Sequence, residues 1–322
     1  MEIFEGLIGN EDIKSTLGNA ISKREFLHAY IIEGGSGTGR RTVARLASLG
    51  IINCDNDDMR RKILNDNCTD IRFFDAFKVD DIRKIKETLY ESPTECEYKI
   101  YILNDVEKMN IKAQNALLIS LEEPPKNVVF FLLCSDATAL LETIRSRAQI
   151  LRTKPLTADQ IKAYLKKNNI TAQSEEALNE IILSSRGSLG YVLDMLDASR
   201  ADSLLKDRER AKDFALKLLS NDSSTVTTLS SLFNSTREKL KDLLALSLIV
   251  LRDLAIIKKA KNAPLCFFTS SKEALNHASK YSIQKILYTY SLIEGGIEAL
   301  NSNSNIPNTL VSLITNTKKK GN

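Results

Sequence analysis

The stretch HAYIIEGGSGTGRRT, residues 28–42, decides the fold of the first half of this chain. HAYIIE has the composition of a buried β-strand, GGSGTG is a glycine-rich turn, and a helical pattern opens at Arg40. Gly34 and Gly39 stand at the GxxxxG spacing of a phosphate-binding loop, with Gly37 between them. Glycines at these places let backbone N–H groups turn toward a phosphate at a helix N-terminus. The stretch therefore predicts an α/β fold with a nucleotide-type loop.

Outward from this loop, strand and helix patterns alternate as far as residue 152, as in a parallel sheet with crossover helices. We predict strands at residues 28–33, 70–77, 99–105 and 127–135. We predict helices at 11–23 behind the cap Asn10, and at 41–51, 79–91 and 111–122. Beyond Arg152 only helical patterns follow, with capping boxes predicted at Thr157/Gln160 and Ser235/Glu238 and a linker at 221–228. The predicted fold is a parallel α/β sheet with flanking helices, followed by an all-α second half.

The predicted loop carries the wrong side chains for ATP hydrolysis. A working loop has a lysine at position 40 for the terminal phosphates and Ser or Thr at position 41 for magnesium, whereas this chain has two arginines there. Arginine has a longer, planar head and cannot ligate a cation. At the end of KIYILND, a neutral amide and then a short carboxylate replace the metal-binding carboxylate and the water-activating glutamate. We predict a vestigial nucleotide site without hydrolysis, and binding without turnover stays open. The predicted site consists of Gly34, Gly37, Gly39, Arg40, Arg41, Asn104 and Asp105.

Composition excludes several classes of protein. The 322 residues are 43% hydrophobic and 27% charged, as in an ordinary globular chain of two or three domains. The longest apolar stretch is interrupted by Arg252 and Asp253 before the roughly 20 residues of a membrane span, and the acidic N-terminus does not read as a secretory signal. We expect a cytoplasmic protein without membrane contact. A net charge of +4 does not by itself indicate capture of nucleic acid.

The cysteines do not form a recognisable metal or disulfide pattern. They are Cys54, Cys68, Cys96, Cys134 and Cys266. An odd, scattered set without a CxxC pair argues against both a disulfide framework and a tetrahedral zinc site. We predict free thiols and no bound zinc.

Two further stretches carry a family resemblance: NDVEKMNIKAQNALLISLEEPP at 104–125 and TIRSRAQI at 143–150. With HAYIIEGGSGTG, and in this order, they resemble the clamp-loader subunits of the AAA+ superfamily, and among these the delta-prime type of bacterial DNA polymerase III. The resemblance covers about residues 1–200. It implies an α/β P-loop AAA+ nucleotide-binding-like domain at 1–155, a small helical lid domain at 156–206 and an all-α C-terminal collar domain for oligomerisation at 207–322.

The resemblance also implies a function. Such subunits belong to a pentameric machine that opens a ring-shaped sliding clamp and closes it around primer-template DNA during replication. The delta-prime type is a stator with an idle nucleotide site, and it supplies an arginine finger to the adjacent motor subunit. Arg147, in the segment SRAQ, stands at that place. The implied partners are tau/gamma motor subunits and a clamp-opening delta subunit, with clamp and DNA reached through the complex. Neither ATP nor zinc is expected as a cofactor.

The chain departs from the family pattern in three places. Of the four-cysteine zinc module that many of these subunits carry, only Cys54 has a match. The nucleotide-sensing arginine or lysine of the second domain is replaced near Tyr191, and Ala148 replaces the cysteine that usually follows the finger. Glu122 and Glu123 shape a subunit interface or simply close a solvated helix.

Two other functions stay open on the sequence. The first is a clamp-loader ATPase that itself binds and hydrolyses ATP through an unusual loop. The second is a nucleic-acid-binding module, although the sequence has no basic stripe with interleaved aromatic residues.

Overall fold

The computed structural model describes residues 2–52, 57–75, 79–172, 174–220, 232–260, 265–268, 270–301 and 304–319. The chain divides into two compact units, one formed by residues 1–170 with 187–191 and the other by residues 171–186 with 192–322. The division into three domains stays a prediction, and its second boundary, after residue 206, falls inside a continuous helix. The linker predicted at 221–228 and Cys54 lie outside the described residues.

The first unit is built on a five-stranded sheet whose paired strands are all parallel. Its strands are β1 (Ala29–Glu33), β2 (Ile71–Asp75), β3 (Lys99–Asn104), β4 (Val128–Cys134) and β5 (Gln149–Arg152). Their order across the sheet is β2-β3-β4-β1-β5. Glu33 at the end of β1 lies opposite Cys134 of β4 and Arg152 of β5. The segments that follow these strands therefore meet at one edge of the sheet.

Helices cover both faces of this sheet. They are α1 (Glu11–Ser22), α2 (Arg40–Ile52), α3 (Asp57–Leu64), α4 (Val79–Leu89), α5 (Ile111–Glu122) and α6 (Glu142–Arg145). Helix α7 (Ala158–Lys167) follows β5 along the chain. Because side chains alternate along a strand, Tyr30 and Ile32 enter the core shared with α1 and α2, whereas Ala29 and Ile31 enter the core shared with α4 and α5. Burial on both faces explains the unbroken apolar run of β4, VVFFLLC.

The second part of the chain is helical. Its helices are α8 (Glu175–Ser185), α9 (Leu189–Leu196), α10 (Ala198–Ser220), α11 (Arg237–Lys259), α12 (Ser271–Ser279), α13 (Ile283–Asn301) and α14 (Ile306–Lys319). On α11 the buried side chains Leu240, Leu244, Leu251 and Leu254 form the stripe that packs into the core of the second unit. The predicted fold class, a parallel sheet with flanking helices followed by a helical part, is confirmed.

Several local predictions were wrong or incomplete. Strand β5 and helix α3 were not predicted, because one has only four residues and the other is short and polar. Asn10 does not cap α1 with its side chain; its φ is 57° and its Oδ1 accepts from the backbone N–H of Lys154. The box at Thr157 and Gln160 is confirmed. The box predicted at Ser235 and Glu238 is wrong, because Thr236 caps α11 by accepting from the N–H of Lys239, and lysine has no acceptor with which to complete a box.

In the described part of the chain, no helix is both long and apolar enough to cross a membrane.

Candidate functional site

The glycine loop lies where the sequence places it, between the end of β1 and the start of α2 at Arg40. Gly37 and Gly39 have φ values of 73° and 96°, the left-handed region that glycine adopts without a steric penalty. The N–H of Gly34 donates to the carbonyl oxygen of Cys134 at 3.0 Å, which ties the loop to the end of β4. The carboxyl ends of β1, β3 and β4 thus surround the loop, the usual place for a ligand in a parallel sheet.

Hydroxyl side chains of the chain itself lie against this loop. The Oγ1 atoms of Thr38 and Thr153 are 2.7 Å apart, and Thr38 Oγ1 also donates to the carbonyl oxygen of Gly35 at 2.7 Å. From the turn at 187–190, Ser188 Oγ lies 2.0 Å from the position that a Cβ on Gly37 would take, and the N–H of Gly190 donates to the Gly37 oxygen at 3.4 Å. The sequence carries no signal for these contacts, because Thr153 and Ser188 are far from the loop along the chain.

The close approach of Gly34 to Thr153 predicts that Gly34→Ala lowers the stability of the fold. A Cβ on Gly34 would lie 1.8 Å from Thr153 Oγ1, so Gly34→Ala displaces Thr153 and breaks its hydrogen bond to Thr38. We expect the free energy of unfolding to fall by about 1–3 kcal/mol, the usual cost of overpacking. Urea denaturation followed by circular dichroism measures it.

The matched control is Gly35→Ala, whose Cβ has its nearest neighbour, Thr38 Cγ2, at an ordinary 3.7 Å. In a Thr153→Ala background the cost of Gly34→Ala should shrink, because the clashing hydroxyl is gone. Equal losses for the two glycine variants would show that the close approach is unimportant.

Arg40 and Asp105 form an ion pair with each other. Arg40 Nη2 lies 3.7 Å from Asp105 Oδ1, with 12% of the Arg40 side chain exposed. Asp105, in the left-handed conformation directly after β3, also accepts from Lys108 Nζ at 3.0 Å through Oδ2. Arg40 Nη1 is buried and has no hydrogen-bond partner among the residues that the structure describes. The residues predicted at the phosphate-binding and water-activating positions are therefore paired with each other.

Arg41 points to a different part of the unit. Its Nη2 donates to Asp66 Oδ2 at 3.0 Å, and its Nη1 lies 3.6 Å from Asp75 Oδ1. One turn further along α2, Arg45 Nε donates to Asp66 Oδ1 at 2.9 Å. Both guanidinium groups lie over the ring of Phe73, 4.9 and 5.2 Å from its centroid. Arg41 thus links α2 to the β2 edge of the sheet. In a working loop, position 41 would instead carry a Ser or Thr that holds magnesium.

Carboxylates surround the end of β4, next to the loop. Glu107 Oε1 accepts from the N–H and Oγ of Ser135 at 2.9 and 2.5 Å, and Glu33 Oε2 accepts from Arg152 Nε at 2.7 Å. Burial raises the pKa of the Cys134 thiol to about 12, and the charges of Glu107 and Glu33 contribute to the rise. Cys134 is therefore a neutral thiol at physiological pH. Asn104, the last residue of β3, is half-buried at this same edge.

Arg147 is half-exposed and held at two points. Its Nη2 lies 2.8 Å from Glu122 Oε1, and its Nη1 donates to the Thr143 carbonyl oxygen at 3.0 Å. The backbone beside it is anchored in the core, where Ile144 is buried and Ala148 packs against the same cluster. The guanidinium group is therefore presented at the surface from a rigid base.

Cys68 has a second thiol beside it, which the sequence did not predict. Its Sγ lies 3.7 Å from Cys96 Sγ and 3.9 Å from Met59 Sδ. Cys96 follows 28 residues later and is fixed by its N–H, which donates to Asp70 Oδ2 at 2.9 Å. Within the described ranges, no three His, Cys, Asp or Glu side chains are grouped to hold a metal ion.

Comparison with known proteins finds similarity to DNA polymerase III subunits. Residues 9–157 match the family model described as DNA polymerase III, delta subunit. The chain is 33% identical over 209 residues to DNA polymerase III subunit tau of Bacillus subtilis (strain 168), which covers 60% of this chain and 37% of that protein. It is 30% identical over 215 residues to subunit tau of Escherichia coli (strain K12), which covers 62% of this chain and 33% of that protein. The chain thus spans about a third of the length of these two relatives.

A solved structure of a DNA polymerase III gamma subunit-related protein from Thermotoga maritima is 18% identical to the chain, with a TM-score of 0.48 over 95% of this chain and 98% of that one. The match to the family model, at residues 9–157, lies within the unit that carries the glycine loop and Arg147. Residues 9–157 of this chain are therefore similar to DNA polymerase III delta subunits, and its 209–215-residue matches are to tau subunits of the same enzyme.

Proposed function

We propose that the chain is a non-catalytic stator subunit of the DNA polymerase III clamp loader, of the delta-prime type. In this role it helps to load the sliding clamp onto primer-template DNA and completes the ATP site of a neighbouring motor subunit with Arg147. The observation that carries the proposal is the ion pair of Arg40 with Asp105 beside the glycine loop. It joins the two side chains that hydrolysis would need to be free.

The chemistry of phosphoryl transfer explains why this pairing supports an idle site. Catalysis depends on cations at the terminal phosphates, a magnesium ion held by a hydroxyl and a carboxylate, and an oriented water. In this chain Arg41 binds Asp66 instead of offering a hydroxyl, and Asn104 offers a neutral amide instead of a carboxylate. The vestigial loop then serves as a structural turn, closed by Thr38, Thr153 and Ser188.

Arg147 supports the other half of the proposal. A finger must carry a positive charge on a surface that a neighbouring subunit reaches, and 36% of the Arg147 side chain is exposed. A guanidinium group suits this task, because it offers five N–H donors in a planar fork and stays charged. Arg145, two residues earlier, has a buried Nε and fits a structural role.

The helical part supplies the assembly role in this proposal. Its helices α10 to α14 share one apolar core, which includes Leu240, Leu251 and Leu310. We assign to it the collar that joins the subunits, with the region from 156 to 206 as the lid domain. The partners are the tau/gamma motor subunits and the clamp-opening delta subunit.

A second candidate is a clamp-loader ATPase that itself binds and hydrolyses ATP. Two observations favour it: the buried Arg40 Nη1 without a hydrogen-bond partner in the described residues, and the similarity to tau subunits. A buried cationic donor next to a glycine loop is suited to an anion.

One experiment separates the candidates. The purified chain is titrated with ATP in the presence of magnesium, and binding and phosphate release are both measured. A stator gives no phosphate release alone, yet accelerates hydrolysis when it is added to the motor and delta subunits with clamp and primed DNA. Turnover by the isolated chain that Asp105→Asn abolishes would establish the second candidate instead. Binding without turnover would leave the stator role intact and assign the nucleotide a structural role.

A further inference from the structure

One of the contacts of Arg147 comes from another element of the fold. Glu122 is the last residue of α5, and its Oε1 lies 2.8 Å from Arg147 Nη2. Thr143, four residues before Arg147, accepts from Nη1 at 3.0 Å, and Ser146 Oγ lies 3.4 Å from the same atom. Among the described contacts both Nη atoms are engaged, and none of these contacts uses Nε.

We infer that Glu122 is a positioning residue for the finger: its carboxylate selects the orientation in which Arg147 meets the neighbouring ATP. This inference rests on the proposed function. It gives Glu122 a specific role. The sequence alone left open whether Glu122 is an interface residue or the solvated end of a helix.

The place of Glu122 in the fold makes it a fixed reference point. Helix α5 is anchored at its start, where Asn110 Oδ1 accepts from the Ala113 N–H at 2.9 Å, and along its length by buried Leu117 and Leu121. Pro124 and Pro125 follow its end. The carboxylate therefore projects from a rigid helix end, and the partial negative charge of that end also favours a cation.

The Glu122–Arg147 ion pair has a strength that suits positioning the arginine rather than withholding it from ATP. Both side chains are substantially exposed, 36% for Arg147 and 46% for Glu122. An ion pair of this kind shifts an equilibrium by only about twofold to fivefold, because water and salt screen it. Such an ion pair is too weak to keep the Arg147 guanidinium group from binding a triphosphate. It is strong enough to favour one rotamer of Arg147, a side chain that loses much conformational entropy when it is ordered. With one N–H of Nη2 on Glu122, the remaining donors of the fork stay available for phosphate oxygens.

The test is a double-mutant cycle in the reconstituted clamp loader, read by single-turnover ATP hydrolysis with clamp and primed DNA. The kinetic phase that Arg147→Ala removes identifies the ATP site that this chain completes. Glu122→Ala should slow that phase by about twofold to fivefold, the range of an exposed ion pair, with the ATP concentration for half-saturation unchanged. Glu122→Gln keeps an oxygen that accepts from Nη2 and should recover at least half of the loss.

The double variant carries the decisive result. If Glu122 acts through Arg147, Glu122→Ala adds nothing once Arg147 is alanine. Glu123→Ala, which removes the adjacent exposed carboxylate, is the matched control and should leave every phase unchanged. Subunit assembly, followed by gel filtration, should be the same for all variants.

Each of the following outcomes overturns the inference. An unchanged phase in Glu122→Ala shows that the carboxylate does not position the arginine, and a faster phase shows that it restrains it. A loss that persists in the Arg147→Ala background, or that accompanies weaker assembly, assigns Glu122 to the structure of the interface. If Arg147→Ala removes no phase, the proposed function fails and the inference fails with it.

Discussion

Arg147→Ala should lower ATP hydrolysis by about a thousandfold at the neighbouring ATP site that we propose this chain completes, while the clamp loader still assembles. An arginine finger contributes about 10³–10⁵ to the rate of phosphoryl transfer, because it stabilises charge on the transferring phosphoryl group. Among the described residues Arg147 contacts a surface carboxylate and its own turn. Its loss therefore removes little that the fold needs. Single-turnover hydrolysis with clamp and primed DNA gives the rate, and gel filtration gives the assembly.

Two variants complete this experiment. Arg147→Lys retains the charge without the planar fork and should recover a minor part of the rate. Lys126→Ala removes an exposed cation from the loop after α5 and should have no effect. Unchanged turnover in Arg147→Ala would remove the finger assignment, and loss of assembly would assign Arg147 to the interface instead.

Asp253→Ala should destabilise the helical unit by about 3–5 kcal/mol, the cost of breaking a buried charged hydrogen-bond network. Asp253 is completely buried on α11. Its Oδ2 accepts from the backbone N–H groups of Cys266 and Phe267 at 2.7 and 2.6 Å, and its Oδ1 accepts from Arg252 Nη1 at 3.1 Å. Alanine leaves those backbone donors buried without an acceptor. Urea denaturation followed by circular dichroism measures the loss.

Asp253→Asn tests the importance of the charge. The amide still offers one oxygen, so the loss should be about half that of alanine, since hydrogen bonds to a charged acceptor are roughly twice as strong as neutral ones. Asp202→Ala, on an exposed position of α10, is the control and should change stability by less than about 0.5 kcal/mol. A loss below about 1 kcal/mol for Asp253→Ala would show that the network contributes little.

Strands and helices were predicted correctly from the sequence where their hydrophobic pattern was long or strongly apolar. The runs that became β1 and β4 are apolar on both faces, and the run that became α5 has a capping asparagine at Asn110. The four residues of β5 carry no such pattern, and they are a strand because β1 offers them an edge at Glu33 and its neighbours. The polar helix α3 has a single buried residue, Ile63, so its sequence shows no hydrophobic periodicity from which a helix could be predicted.

Local capping was predicted with mixed success for a similar reason. Thr157 and Gln160 satisfy each other within one turn, so nothing outside the helix competes. Asn10 has a competitor, the N–H of Lys154, which arrives beside it only after the chain has folded.

In the candidate site, too, some features follow from the sequence and others only from the tertiary structure. The sequence alone determined the fold class, the glycine loop and the identity of the side chains at positions 40, 41, 104, 105 and 147, because these depend on local pattern and residue type. Only the tertiary structure decided what those side chains contact: Arg40 binds Asp105, Arg41 binds Asp66, and Arg147 binds Glu122. It also buried Asp253, which in the sequence marks only a break in an apolar run. Partners of this kind lie far apart along the chain, and they meet only because the sheet and the helices pack in one arrangement.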